Sequence, residues 1–303
     1  MSDQKTGPVV VIGDALIDEI RSDNATAHMV GGAALNVAVG LSRLGVETRL
    51  IAMVGDDSDG ATIRAFLGEH KVQLIPTIGP NGSSRGVSER INGEPFYVFN
   101  AAAQARKVEF GPAELEAISN ASLVVVSCFP FDDVQQSEQL LAAIDDPKLR
   151  LVIDPNPREK MMHSTARFRE TFDSLAPHSL LIKVGDDDAS LLYGASIDEL
   201  TDHIIEIGAS AVLGTAGRDG AAVRTADGTR ASVPIAQLPG PIVDTMGAGD
   251  ATLASVIQSI LHDGFPADAN RWERVIARAM LIAAATCRAE GALLQIPSVL
   301  SDR

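Results

Sequence analysis

Ile242-Val243-Asp244-Thr245-Met246-Gly247-Ala248-Gly249-Asp250 runs directly into Ala251-Thr252-Leu253-Ala254-Ser255-Val256-Ile257. Two glycines flank an alanine, an aspartate follows, and the spacing predicts an amphipathic helix over 251–262. Leu253, Val256, Ile257, Ile260 and Leu261 fall on one stripe, with Gly264 behind them. Small residues at a helix start leave backbone N–H groups bare at the positive end of the helix dipole, a place for an anion. A carboxylate beside such a cradle is badly placed to hold an anion and well placed to take a proton. Anion cradle plus base is the pairing that phosphoryl transfer to a hydroxyl requires.

Outward from this segment, strand-like and helix-like stretches alternate. Val9-Val10-Val11-Ile12 is wholly apolar and reads as a buried parallel strand. Further strands are expected at 50–54, 123–126, 151–154, 180–184 and 211–214. Helices are expected at 33–44, 60–70, 112–118, 134–144, 166–175, 189–193, 197–207 and 271–290. This alternation predicts an α/β fold with a parallel sheet covered on both faces. Between Arg85 and Val108 the alternation breaks. Asn92-Gly93 is a hairpin signal between two strand-like arms, which predicts a β excursion outside the main sheet. With no internal repeat or linker, residues 1–303 are expected to form one domain with a small β accessory.

Composition narrows the function. Apolar residues make up 46% of the 303 and aromatics only 4%, so the core must be built from Val, Ile, Leu and Ala. A net charge of −15 argues against nucleic acid and anionic membranes as partners. Cys128 and Cys287 stand alone in apolar settings and read as buried reduced thiols. Residues 1–8 lack the apolar core of a signal peptide, and no run reaches the roughly 18 apolar residues of a membrane helix, so a cytoplasmic protein is expected. Gly82-Ser83-Ser84-Arg85-Gly86 fits a serine-hydrolase pattern but lacks a strand before it and a helix after it. No P-loop or protein-kinase motif is present, and the six histidines show no metal spacing.

The Asp-Thr-x-Gly-Ala-Gly-Asp run resembles the C-terminal signature of the PfkB/ribokinase family of carbohydrate kinases, fructokinase-like in its details. The resemblance extends from Val9 to about Pro297. It implies a ribokinase-like three-layer α/β/α sandwich with a small β-sheet lid from about 18–30 and 84–108. It implies ATP-dependent transfer to a sugar hydroxyl, with Mg²⁺ on the nucleotide and a ketose such as fructose as acceptor. Ribose, a nucleoside, 2-keto-3-deoxygluconate or a phosphosugar are alternatives within the family. A non-catalytic nucleotide or sugar sensor is the alternative outside it. By resemblance, Gly247, Ala248 and Gly249 hold the phosphoryl charge and Asp250 is the base.

Gly31-Gly32-Ala33-Ala34-Leu35-Asn36 looks like the family's N-terminal signature, placing Gly31, Gly32 and Asn36 at the sugar. Gly13-Asp14-Ala15-Leu16-Ile17-Asp18 offers Asp18, then Asp14, to sugar hydroxyls. Asp154-Pro155-Asn156-Pro157-Arg158 offers Asn156 and Arg158 to substrate or phosphate. Lys183, Thr215, Gly217 and Gly220 fall where the family holds nucleotide. In Lys183-Val184-Gly185-Asp186-Asp187-Asp188 the family's Asn is replaced by Gly185 and its Glu by Asp188. An indirect Mg²⁺ role for Asp188 therefore stands beside a helix-capping one. Asp244, Thr245 and Gly291 match a monovalent-cation site, which would take K⁺. An anionic acceptor would need Arg85, Arg90 or Arg158. Pairing of two lids would give a homodimer.

Overall fold

In this computed structural model, residues 7–22, 25–91 and 94–301 are described. The first six residues and the expected Asn92-Gly93 turn lie outside the described residues. In chain order the strands are β1 (Val9–Gly13), β2 (Leu16–Ser22), β3 (Ala25–Gly31), β4 (Thr48–Val54), β5 (Gln73–Ile78), β6 (Ser84–Ile91), β7 (Glu94–Phe99), β8 (Leu123–Ser127), β9 (Leu151–Asp154), β10 (Ser179–Gly185), β11 (Ala211–Thr215), β12 (Ala221–Thr225) and β13 (Arg230–Val233). The helices are α1 (Ala33–Arg43), α2 (Ser58–Glu69), α3 (Ala101–Gln104), α4 (Pro112–Ser119), α5 (Val134–Ala143), α6 (Thr165–Leu175), α7 (Asp186–Tyr193), α8 (Ile197–Glu206), α9 (Ala248–Asp263), α10 (Ala269–Thr286) and α11 (Ser298–Ser301).

Successive side chains of a strand point to opposite faces. Val9 and Val11 of β1 therefore join one apolar cluster, with residues of α1, α9 and α10. Val10 and Ile12 join the other, with residues of α4, α5, α6 and α8. A strand covered on both sides has no polar face, which is why β1 reads as a continuous apolar run. The nine-stranded sheet has the order β13-β12-β11-β10-β9-β8-β1-β4-β5. It is parallel from β11 to β5. Its other edge is finished by antiparallel β12 and β13, which the expectation of a parallel sheet did not include. Residues of β12 alternate between buried and half-buried, the mark of a one-sided strand.

Several helix boundaries differ from expectation, and two of them bear on the site. α9 starts at Ala248 rather than 251, directly after Gly247. α10 ends at Thr286 rather than 290, and the next carbonyl, of Cys287, accepts from Val243 N at 2.8 Å and Asp244 N at 3.2 Å. The end of α10 thus holds the loop that leads into α9.

The second sheet, β3-β2-β6-β7, fits the expected lid. It stops at Phe99, short of the expected 108. Asn100 turns the chain by accepting from Ala103 N at 2.9 Å, which starts α3. The lid is clasped to the main body through the segment that mimics a hydrolase motif. Ser83 N and Oγ each donate to Asp57 at 2.7 Å. Arg85 donates to Glu19 of β2 and, two-pronged, to Asp59 of α2 at 2.7–3.1 Å. Arg85 is therefore committed to ion pairs and is corrected as a candidate for binding an anionic acceptor. Arg85→Ala is expected to cost about 1–2 kcal/mol, between an exposed and a buried ion pair, in a urea melt. The acceptor KM should rise several-fold while kcat changes less, because the lid and not the phosphoryl site is loosened.

Candidate active site

The carboxyl ends of β1, β9 and β10, the start of α9 and the lid surround a cleft of 760 Å³. β1 lies between β4 and β8, so chain direction across the sheet reverses there. Such a switch point leaves a crevice beyond the strand ends.

Gly247 caps α9 with φ 75°, and a Cβ there would collide with the Ala292 carbonyl. Only glycine both adopts that backbone readily and leaves room for Ala292. Of the three expected cradle residues, Gly247 and Gly249 line the cleft. Ala248 does not, and its N–H donates to the Thr245 carbonyl at 3.3 Å. No side chain caps this end, so the amides of Gly249 and Asp250 are left bare among the described residues. Of the expected cradle residues, Ala248 thus has its amide spent on the turn, while Gly247 and Gly249 face the cleft.

Asp250 sits in the first turn of α9, 8% exposed. Its Oδ2 accepts from Asn36 Nδ2 at 2.9 Å. Burial, then the charge of Asp154, push its carboxyl up to about 7, against Lys183, Asn36 and Arg158. A carboxyl with that value is poised between taking and releasing a proton near neutral pH. Asn36 Oδ1 is buried without a partner among the described residues. A buried amide oxygen left unpaired costs free energy that a hydroxyl donor would recover.

Lys183 reaches up from β10, 6% exposed, and donates to Asp154 Oδ1 at 3.1 Å. Asp154 is fully buried and also accepts from Ser127 Oγ at 3.3 Å. A Cβ on Gly249 would lie 3.1 Å from Lys183 Nζ, so the ammonium rests against the bare first turn of α9. Asp154, Asp188 and Asp250 hold that ammonium above the ordinary lysine range in spite of its burial.

Asp14 Oδ1 accepts from Ala34 N at 2.9 Å at the start of α1. Burial raises its carboxyl above the ordinary value. Burial, then the charge of Asp14, push Asp18 up to about 6. A Cβ on Gly31 would collide with Asp18 Oδ2, and one on Gly86 would lie 3.2 Å from Oδ1. Gly31 therefore makes space for Asp18 rather than lining the cleft. Gly32, Asn36, Asn156 and Arg158 line it. Asn156 is held at φ 38°, which few residues other than glycine adopt and Asn tolerates best. Leu16 and Phe99 of the lid, Lys160, Met161 and Asp187 also line the cleft. Of these, Leu16 falls inside the motif at 13–18 without a role assigned to it, and Asp187 has a signal as the neighbour of Asp188; the others carry no motif.

The nucleotide candidates divide. Lys183 lines the cleft, whereas Thr215, at the end of β11, and Gly217 and Gly220 after it lie outside its walls. Thr215 pairs with Gly185 across the sheet and so continues the same edge. Asp188 is buried and accepts from Gly185 N at 2.7 Å. It closes the first turn of α7, which makes the capping role the one its geometry carries. Asp244 and Thr245 line the cleft. Gly291 does not, and it faces Met29 of β3 so closely that a Cβ would collide with it. Among the described residues no group of three or more His, Cys, Asp or Glu is arranged to hold a metal ion, and no helix is long and apolar enough to cross a membrane.

Residues 8–298 match the family model described as pfkB family carbohydrate kinase. A fructokinase of Klebsiella pneumoniae is 26% identical over 96% of this chain and 96% of its own. An ATP-dependent 6-phosphofructokinase of Thermoanaerobacterium thermosaccharolyticum is 26% identical over 82% of this chain and 80% of its own. The aminoimidazole riboside kinase of Salmonella enterica, solved with aminoimidazole riboside and an ATP analogue, superposes with a TM-score of 0.77. It is 23% identical and covers 97% of this chain and 99% of that one, so the fold is shared.

Proposed function

Because the chain belongs to the pfkB family of carbohydrate kinases, we propose that it moves the γ-phosphoryl group of ATP to a hydroxyl of a neutral ketose such as fructose. The observation that carries this is Asp250, buried, held by Asn36 and standing beside bare amides and Lys183 in one cleft.

The bare first turn of α9 and the uncapped amides of Gly249 and Asp250 fit a triphosphate. ATP with Mg²⁺ would supply the phosphoryl group and part of its charge compensation, and Asp187, on the cleft wall, would be the acid facing the metal. Gly247, Gly249 and Lys183 hold the phosphoryl oxygens. Asp250 takes the proton of the acceptor hydroxyl, and Asn36 Nδ2 keeps its carboxylate turned towards that hydroxyl. Asp18 and Asp14 accept from other hydroxyls, and Phe99 of the lid helps to exclude water. Thr215, Gly217 and Gly220 border the nucleotide from the next strand end. Asp244 and Thr245 are the residues that would hold K⁺.

Two carboxylates at the acceptor end favour a neutral polyol over a sugar acid or phosphosugar, since like charges repel. Arg85 is already paired, the side chain of Arg90 lies outside the described residues, and Arg158, which lines the cleft, already has the charges of Asp14, Asp250 and Asp188 acting on it. A dimer formed through edge strand β7, where Val98 is 45% exposed, belongs to the same proposal.

The test is ADP release with fructose, ribose, a nucleoside, 2-keto-3-deoxygluconate and fructose 6-phosphate. Fructose should give the highest kcat/KM. Asp18→Asn should raise its KM about tenfold, the value of one hydrogen bond to a charged group. Faster turnover of a charged acceptor would reverse the choice of substrate. No ADP with any acceptor would favour the sensor.

A further inference from the structure

Arg271, Arg274 and Arg278 follow one another along α10 at three- and four-residue spacing, so they share one helix face. Glu273 falls off that face. The three arginines line a groove of 420 Å³ whose opposite wall includes Ser259 and Asp263 at the end of α9. That volume is in the range of small-molecule sites.

The chain carries 40 acidic residues against 25 basic ones, yet none of these guanidiniums makes an ion pair or hydrogen bond among the described residues. The Nε of Arg278 is buried without a partner among the described residues. Two acids close by in sequence have other contacts. Asp263 pairs with His262 at 2.8 Å, and Asp268 accepts from the backbone N of Arg271 at 2.8 Å. Arginine forks match phosphate oxygens two at a time.

The geometry points to a second ligand site here, one that takes a phosphorylated small molecule on the three arginines. It is separate from the catalytic cleft. α9 begins at the cleft with Ala248 and ends at the groove with Asp263, about 22 Å away at 1.5 Å per residue.

Pyrophosphate is the probe. Calorimetric titration is run on the full chain with a non-hydrolysable ATP analogue filling the cleft, so that its own amides are occupied. The wild type should bind one further pyrophosphate. Arg274→Ala with Arg278→Ala should weaken it at least tenfold, about what a lost charged hydrogen bond removes. Arg274→Lys with Arg278→Lys should fall between, keeping charge and losing the fork. Circular dichroism confirms that each variant is folded, and basal ADP release stays at the wild-type level. The proposal is overturned if no further pyrophosphate binds, or if it binds the alanine double variant as well as the wild type.

Discussion

Asp250→Asn is expected to abolish turnover and at the same time to stabilise the protein. The variant keeps the shape of the side chain and still offers an oxygen to Asn36 Nδ2. It removes the buried carboxylate that borders the bare amides of α9 and that, in the proposed reaction, takes the proton of the acceptor hydroxyl. Loss of a general base costs about 10²–10⁴ in rate, so kcat should fall by at least that much, with KM for both substrates little changed.

The stability gain follows from the position of the proton. The folded carboxyl titrates at about 7 and the unfolded one near 3.8. The folded protein therefore binds the proton more tightly, and ionising Asp250 costs stability as pH rises through that window. Above pH 7 the whole cost is present; towards pH 4 it disappears. At 1.36 kcal/mol per pKa unit the cost is of the order of a few kcal/mol. Asparagine carries no such cost. The variant should therefore melt above the wild type at pH 8, with the difference shrinking on acidification. In the wild type, kcat/KM should climb with pH through about 7 as the base loses its proton. A variant that keeps wild-type turnover would remove Asp250 from its role, and a flat pH profile would remove the raised carboxyl.

Much of this site is legible in short motifs because each marks the end of a strand or the start of a helix. Val9 to Ile12 must be buried on both faces, so Gly13-Asp14 has to emerge at an edge of the sheet. The same logic places Asp154 and Lys183. What local pattern does not carry is the work of residues that act across the fold. Gly86 looks like part of a hydrolase motif, and its use is to leave space beside Asp18, 68 positions earlier. Gly31 has the same use, although its place in a glycine pair suggests contact with the ligand. Phe99, Lys160 and Met161 reach the cleft only because β7 and the turn after β9 come together there. Ala248 shows the limit at atomic scale: the motif locates the helix start, and only the turn back to Thr245 shows which amide is already spent. β12 and β13 are short and half polar, and an edge hairpin of that kind leaves too few apolar positions to mark a strand.

Lys183→Met should be the other severe variant, and it can separate electrostatics from packing. Lys183 is the cation inside a buried set of carboxylates and stands 3.1 Å from Asp154 Oδ1. Removing one partner of a buried pair leaves the other uncompensated, at a cost of about 3–5 kcal/mol. Its raised ammonium contributes stability that is fully present below about pH 10, so the loss should be seen at neutral pH by denaturant melt. Catalysis should fail for a different reason. Lys183 holds Asp250 down, so without it the carboxyl moves above about 7 and the rising limb of the pH–rate profile shifts to more alkaline pH. The charge on the transferring phosphoryl group also loses its ammonium at the first turn of α9, where one preorganised donor is worth about 10²–10³ in kcat. Lys183→Met with Asp154→Asn decides between the roles. With both charges gone the buried imbalance is relieved, and most of the lost stability should return. Activity should stay low, because no cation faces the bare amides. Recovery of kcat together with stability would make Lys183 a packing residue and leave the amides and the incoming metal to carry the phosphoryl charge.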